Sequence, residues 1–112
     1  MDIELYEHYP DEKDCFEYVS DHLNFLNKQS LITLLDGINK TSFKEKGNDN
    51  DLVLYQTPIY NDDGSVYDYR KTHCGILINK KVISKWGHYS VIKHPLNLVP
   101  TIYGTDVIFL TL

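Results

Sequence analysis

Two side chains carry the chemistry this sequence can do most directly: Cys15, which follows Asp14, and His73, which opens the apolar run His73-Cys74-Gly75-Ile76-Leu77-Ile78. A thiol in the first turn of a helix faces backbone N–H groups that have no intrahelical acceptor, and it sits at the positive end of the helix dipole. Both favour the thiolate. Nucleophilic chemistry also needs a base to take the proton, and the base needs a polar partner that fixes its tautomer. His73 suits the base, since a strand can hold its imidazole over the helix start. On the next strand the polar side chains are Ser84 and Lys85. Such a set attacks an amide or acyl carbon and passes through a thioester. A plainer reading stands beside it. Cysteine is among the most buried residue types, and a lone histidine is commonly a hydrogen-bonded structural group, so both can simply be core residues. Neighbouring strand residues alternate, which points Cys74 to the face opposite His73 and into the core. The same alternation separates Ser84 from Lys85 and speaks against a Ser-Lys hydrolase.

The elements that must position these groups can be read from periodicity. From Asp14 to Asn27, Phe16, Val19, Leu23 and Leu26 recur at spacings of three and four, as on one face of a helix. Asp14 and Glu17 form an acidic capping box that places Cys15 in the first turn; Asp11 is the alternative cap. A second helix is expected from Ser30, with Leu31, Leu34, Leu35 and Ile38 inward and a break near Gly37 or Asn39. Lys44 to Asp51 reads as a polar, solvated loop. Strands follow at Leu52–Tyr55 and Val66–Tyr69, around the turn signal Asn61-Asp62-Asp63-Gly64. Further strands are expected at His73–Ile78 and Lys81–Trp86 around Asn79-Lys80, and at Val107–Leu110. His88 to Gly104, with Pro95 and Pro100, reads as irregular. Helices first and strands after, with short connections, predict an α+β domain spanning residues 1–112, its helices packed on a mainly antiparallel sheet.

Composition narrows the function. The chain has 112 residues, 42% hydrophobic and 12% aromatic, enough for one core. A net charge of -5 provides no basic face for nucleic acid, and no apolar run is long enough to span a bilayer. The start Met1-Asp2-Ile3-Glu4-Leu5 lacks signal-peptide regions, so a cytoplasmic setting with free thiols at Cys15 and Cys74 is expected. His88 and His94 lack the spacing of a closed metal site, and no metal or cofactor is expected. His94-Pro95 reads as a strand end, with His94 a reserve orienting group or substrate contact. Trp86 reads as a core anchor, and the tyrosines as half-buried strand residues.

The order of these segments resembles the NlpC/P60-type branch of the papain-like cysteine hydrolases. There an Asp-Cys pair begins a helix, a strand follows, and a His-aliphatic-Gly-aliphatic strand carries the base. The matching residues are Asp14-Cys15, Asp51-Leu52-Val53-Leu54-Tyr55, His73-Cys74-Gly75-Ile76-Leu77-Ile78 and Val107-Ile108-Phe109-Leu110. The likeness covers nearly the whole chain. It implies a papain-like fold and an amidase or peptidase activity. It also implies Cys15 as nucleophile, with its backbone N–H in the oxyanion hole, His73 as base and Ser84 as orienting residue. Phe16 and Glu17 stand where the family has small residues. The family's glycine-rich approach with its helping tyrosine is absent, which leaves Tyr6 or Tyr9 to substitute. Val82 to Gly104 looks like the tail of small, diverged papain-like proteins. The implied partner is a peptide or amide substrate. The alternative is an inactive papain-like fold that binds a protein, as a phage-encoded inhibitor or accessory protein would.

Overall fold

Leu52-Val53-Leu54-Tyr55 and Ile76-Leu77-Ile78 are apolar at every position, so a sheet that carries them must be covered on both faces. A computed structural model describes residues 3–10, 12–87, 90–104 and 106–112. Asp11, the alternative cap, and His88, the second histidine weighed for metal, lie outside the described residues. The described residues form an α+β fold of two α-helices and a six-stranded sheet in which every neighbouring pair is antiparallel. The strands are β1 (Glu4–Glu7), β2 (Leu52–Tyr60), β3 (Val66–Ile78), β4 (Lys81–Lys85), β5 (Val91–Pro95) and β6 (Asp106–Leu110), in spatial order β1-β5-β4-β3-β2-β6. No described helix is long and apolar enough to cross a membrane.

Helix α1 spans Cys15–His22 and begins with the anticipated capping box: Asp14 accepts from the Glu17 N–H at 2.9 Å, and the Glu17 carboxylate accepts from the Asp14 N–H. The helix stops earlier than the periodicity predicts. Asn24 adopts φ 62°, a left-handed conformation that asparagine tolerates, and the Phe25 N–H closes back on the Ser20 carbonyl at 2.9 Å. Leu26, expected on the apolar face, therefore lies beyond the helix and is 90% exposed. Helix α2 (Lys28–Gly37) starts from Asn27, whose side chain accepts from the Ser30 N–H, so Ser30 lies inside the first turn. Leu31 and Leu35 are buried, whereas Leu34, also expected inward, is exposed. Lys28 makes an ion pair with Asp14 and ties the start of α2 to the start of α1.

Asn79 and Lys80 both take positive φ (50° and 66°), as a two-residue hairpin turn requires, and join β3 to β4. Three expectations need correction here. The two predicted strands at Val66–Tyr69 and His73–Ile78 are one continuous β3, because β2 runs beside it from Val66 to Ile76 with register shifts that absorb the irregularities. The stretch read as irregular contains β5, which pairs with β4 on one side and with the unanticipated edge strand β1 on the other. Asp51, read as part of a solvated loop, is 2% exposed: its carboxylate accepts from the Asn48 N–H and the Thr111 hydroxyl and pairs with Lys44 at 3.0 Å.

The core has two parts, one on each face of the sheet. The helices cover a cluster containing Cys15, Val19, Leu31, Leu54, Cys74, Ile76 and Ile83. Leu96 and Val99, from the segment after β5, pack on the other cluster, which holds Val53, Tyr55, Leu77, Val82 and Phe109.

Candidate active site

Cys15 is the first residue of α1 and 7% exposed, and β3 brings His73 and Cys74 beside it. The described pairing of β3 with β4 is confined to Ile76–Ile78, so at His73 and Cys74 the paired neighbour of the strand is β2. At Gly75, β4 still comes close. A Cβ there would stand 2.5 Å from the Ile83 carbonyl oxygen, so β3 and β4 come too close at this point for any side chain.

The two neighbours act on the same sulfur. The Cys74 thiol donates to the Cys15 carbonyl oxygen at 3.4 Å and lies within hydrogen-bonding reach of the Cys15 thiol. That contact is the largest influence on Cys15. Burial opposes it, the imidazole of His73 adds a hydrogen bond and favourable charge, and together they bring the Cys15 thiol down from 9.0 to about 5. Cys74 moves the other way: burial, then its bond to Cys15 and the charge there, push it well above the ordinary thiol value. One thiol is thus held as an anion by another that keeps its proton. Both cysteines are free.

On the other face of β3 the rings form a continuous group. Tyr103 stacks on His73 with centroids 3.9 Å apart and planes 5° from parallel, and Tyr55 leans on the same imidazole at 5.5 Å. Tyr103 is held there by its backbone: its carbonyl accepts from the Thr72 hydroxyl, and Gly104 follows with φ 99°, where a Cβ would meet the Gln56 carbonyl oxygen at 2.5 Å. His73 is 1% exposed, and its Nε2 has no hydrogen-bond partner among the described residues.

Ser84, implied as the orienting residue, is buried in a different network. The Trp86 indole N–H donates to its oxygen at 3.0 Å, and its hydroxyl lies 2.8 Å from His94 Nε2. His94 Nδ1 is 2.8 Å from the Pro95 carbonyl, which can only accept. Nδ1 therefore carries the proton, and Nε2 accepts from Ser84. Burial, opposed by the Pro95 carbonyl and aided by nearby His73, lowers His94 to about 4, so the ring is neutral. These bonds do not reach His73. Lys85, the other polar choice, is fully buried and donates to the Gly87 carbonyl. Tyr6 is exposed on edge strand β1. Tyr9 packs edge-on against Tyr18 and donates to Asp21, toward the far end of α1 from Cys15.

Sequence reasoning brought Cys15 and His73 together but missed Tyr103, which looked like one more tyrosine in an irregular tail. It also missed the approach of Cys74 to Cys15. Cys74 does face the core, as alternation requires, and the helix start stands in that core. A cavity of about 630 Å³ opens beside Asp14 and Phe16, the neighbours of Cys15, and is lined also by Lys28, Phe43, Tyr69 and Lys71. Among the described residues no cluster of three or more His, Cys, Asp or Glu side chains is arranged to hold a metal ion. No family model, curated protein or solved structure matches the chain.

Proposed function

We propose that this chain is a small papain-like thiol hydrolase, of the amidase or peptidase kind, that cleaves an amide or related acyl bond through a Cys15 thioester. The observation that carries this reading is the thiol at the start of α1, drawn down to about 5 against its burial, first by Cys74 and then by the imidazole of His73. The Cys15 thiolate adds to the carbonyl carbon. Backbone N–H groups at the start of α1, that of Cys15 first, stabilise the oxyanion. His73 delivers a proton to the leaving amine and then draws one from the water that opens the thioester. Free thiols suit a reducing compartment, and we assign the protein to the cytoplasm. The test is a screen of amide and ester substrates in which an acyl-enzyme is trapped at low pH and mapped by mass spectrometry. Acylation at Cys15, absent from a folded Cys15→Ala variant that has also lost turnover, supports the reading; turnover unchanged in that variant rejects it.

A second reading, a papain-like fold that binds a protein without turnover, is favoured by one observation: His73 Nε2 lacks an orienting partner while Tyr103 covers the ring. In that case no acyl-enzyme accumulates with any substrate, and Cys15→Ala leaves partner binding intact.

A further inference from the structure

Cys74 is a buried thiol that makes and breaks no bond in the proposed hydrolysis, and it lies against the proposed nucleophile. Its sulfur is 3.4 Å from the Cys15 carbonyl oxygen, an atom two bonds from the Cys15 Cα, and both side chains belong to the same packed cluster. The two cysteines are far apart in sequence, at the start of α1 and within β3, and the fold packs their side chains in one cluster. Cys15 retains some exposure whereas Cys74 has none, so a small reagent reaches Cys15 first.

We propose that Cys15 and Cys74 are a redox-modification site, in which a hydroperoxide oxidises Cys15 and Cys74 resolves the product to an intramolecular disulfide. In the first step the Cys15 thiolate attacks the terminal oxygen of the hydroperoxide. The O–O bond breaks, Cys15 becomes a sulfenic acid, and the departing alkoxide takes a proton and leaves as the alcohol, or as water when the oxidant is hydrogen peroxide. In the second step the Cys74 sulfur attacks the Cys15 sulfur. An S–S bond forms, the S–O bond breaks, and hydroxide leaves with the Cys74 proton as water. Two thiols and one hydroperoxide have then become one disulfide, one alcohol and one water; the two electrons come from the sulfurs. A dithiol reductant reverses the change by exchange.

The surroundings favour this order. Cys15 is the thiol held as the anion, and the anion is the nucleophile. Cys74 is held protonated by burial and by its bond to the Cys15 sulfur and the charge there. Once Cys15 is a neutral sulfenic acid, the last two influences disappear and Cys74 becomes easier to ionise. Resolution is thereby switched on by the step that needs it. Without a second thiol, the sulfenic acid at Cys15 would be open to further, irreversible oxidation. The disulfide protects Cys15 and silences its nucleophile. This inference holds whether or not Cys15 is hydrolytic.

The test is direct. Fully reduced protein is treated with one equivalent of hydrogen peroxide, its remaining thiols are alkylated in denaturant, and intact mass and a non-reducing digest are read. The expected result is a monomer lighter by two hydrogens, with the Cys15 and Cys74 peptides linked and alkylation of both residues lost; dithiothreitol restores both. In Cys74→Ala, and in the near-isosteric Cys74→Ser should the alanine variant fail to fold, oxidation stops at a sulfenic acid on Cys15 that dimedone traps. The proposal is overturned if wild-type protein gives a dimedone adduct at Cys15 with Cys74 still a free thiol. It is equally overturned if the disulfide is between molecules, or if neither thiol reacts.

Discussion

The thiolate at Cys15 can be tested without a substrate, through the pH dependence of its alkylation by iodoacetamide. A fall from 9.0 to about 5 corresponds to on the order of 5 kcal/mol of preference for the anion, at about 1.4 kcal/mol for each tenfold change. At about pH 6 some nine-tenths of Cys15 is then thiolate, against roughly one part in a thousand for an ordinary thiol. A less basic thiolate is also less nucleophilic; with a Brønsted slope of about 0.4–0.5 the loss over this range is roughly 40- to 100-fold. The two effects leave Cys15 about tenfold faster than an ordinary thiol at that pH, before any slowing by burial. Burial scales the rate at every pH alike, so the profile keeps its shape. The rate should level off below neutrality.

The variants divide the cause. Cys74 is the first influence on Cys15 and His73 follows it, so Cys74→Ala should move the midpoint up further than His73→Ala does, and Cys74→Ser, which keeps a donor, should move it least. Peptide-level mass spectrometry at a series of pH values gives each midpoint for Cys15 separately from Cys74. A wild-type rate still climbing through about pH 8, as for an unperturbed thiol, would refute the reasoning. So would a midpoint that ignores both neighbours.

Other consequences follow from the same contacts. His94 falls from 6.5 to about 4 when folded, so the unfolded chain binds the extra proton first; its contribution is full above about pH 6.5 and on the order of 3 kcal/mol is lost as pH drops through about 4, a slope that urea titrations should find flattened in His94→Gln. Ser84→Ala leaves the His94 and Trp86 nitrogens without their partner and should cost about 1–3 kcal/mol in urea unfolding, while the Cys15 alkylation midpoint stays in place because those bonds do not touch His73. Gly104→Ala combines a φ of 99° with a Cβ 2.5 Å from the Gln56 carbonyl; a loss of about 1–3 kcal/mol in unfolding free energy is expected, and a change in the His73 ring resonances by NMR should report Tyr103 leaving its stack. Asp51 is held below its usual range: burial acts to raise it, but the Asn48 N–H, the Thr111 hydroxyl and Lys44 outweigh that, so its stabilisation is present above about pH 4 and lost below, and Asp51→Asn should remove this part of the acid unfolding limb.

What the residues announced and what they hid differ for physical reasons. The capping box at Asp14 and Glu17 is a local signal, so the start of α1 and the position of Cys15 were legible. The end of α1 was not, because an apolar period continues through Leu26 while a single asparagine in the left-handed region turns the chain away. Edge strand β1 carries Glu4, Tyr6 and Glu7 and has no buried residue, so no hydrophobic pattern marked it. Strand β5 was obscured by Lys93, His94 and Pro95, polar or strand-averse types; His94 is buried only because Ser84 and the Pro95 carbonyl complete its hydrogen bonds. Long-range pairing of this kind has no local signature. Tyr103 is held on His73 by a glycine whose need appears only once β2 is in place beside it.

The same logic explains how one sulfur comes to be flanked by an imidazole and a thiol that leave their strand in opposite directions. In an unbroken sheet His73 and Cys74 would face separate layers, and a helix lying on one layer would reach only one of them. Here the pairing of β4 with β3 stops at Ile76, although at Gly75 the Ile83 carbonyl still crowds the backbone, and Cys15 at the start of α1 reaches both neighbours. From there Cys15 meets Cys74 on the helix side of the sheet and His73 on the side of Tyr103. A side chain at position 75 would push β3 and β4 apart next to His73 and Cys74. Gly75→Ala should therefore change both halves of the site together, raising the Cys15 alkylation midpoint and abolishing the peroxide-formed link to Cys74. A variant that lost one property and kept the other would show that the two neighbours are positioned independently, and that the break in the sheet does not govern the site.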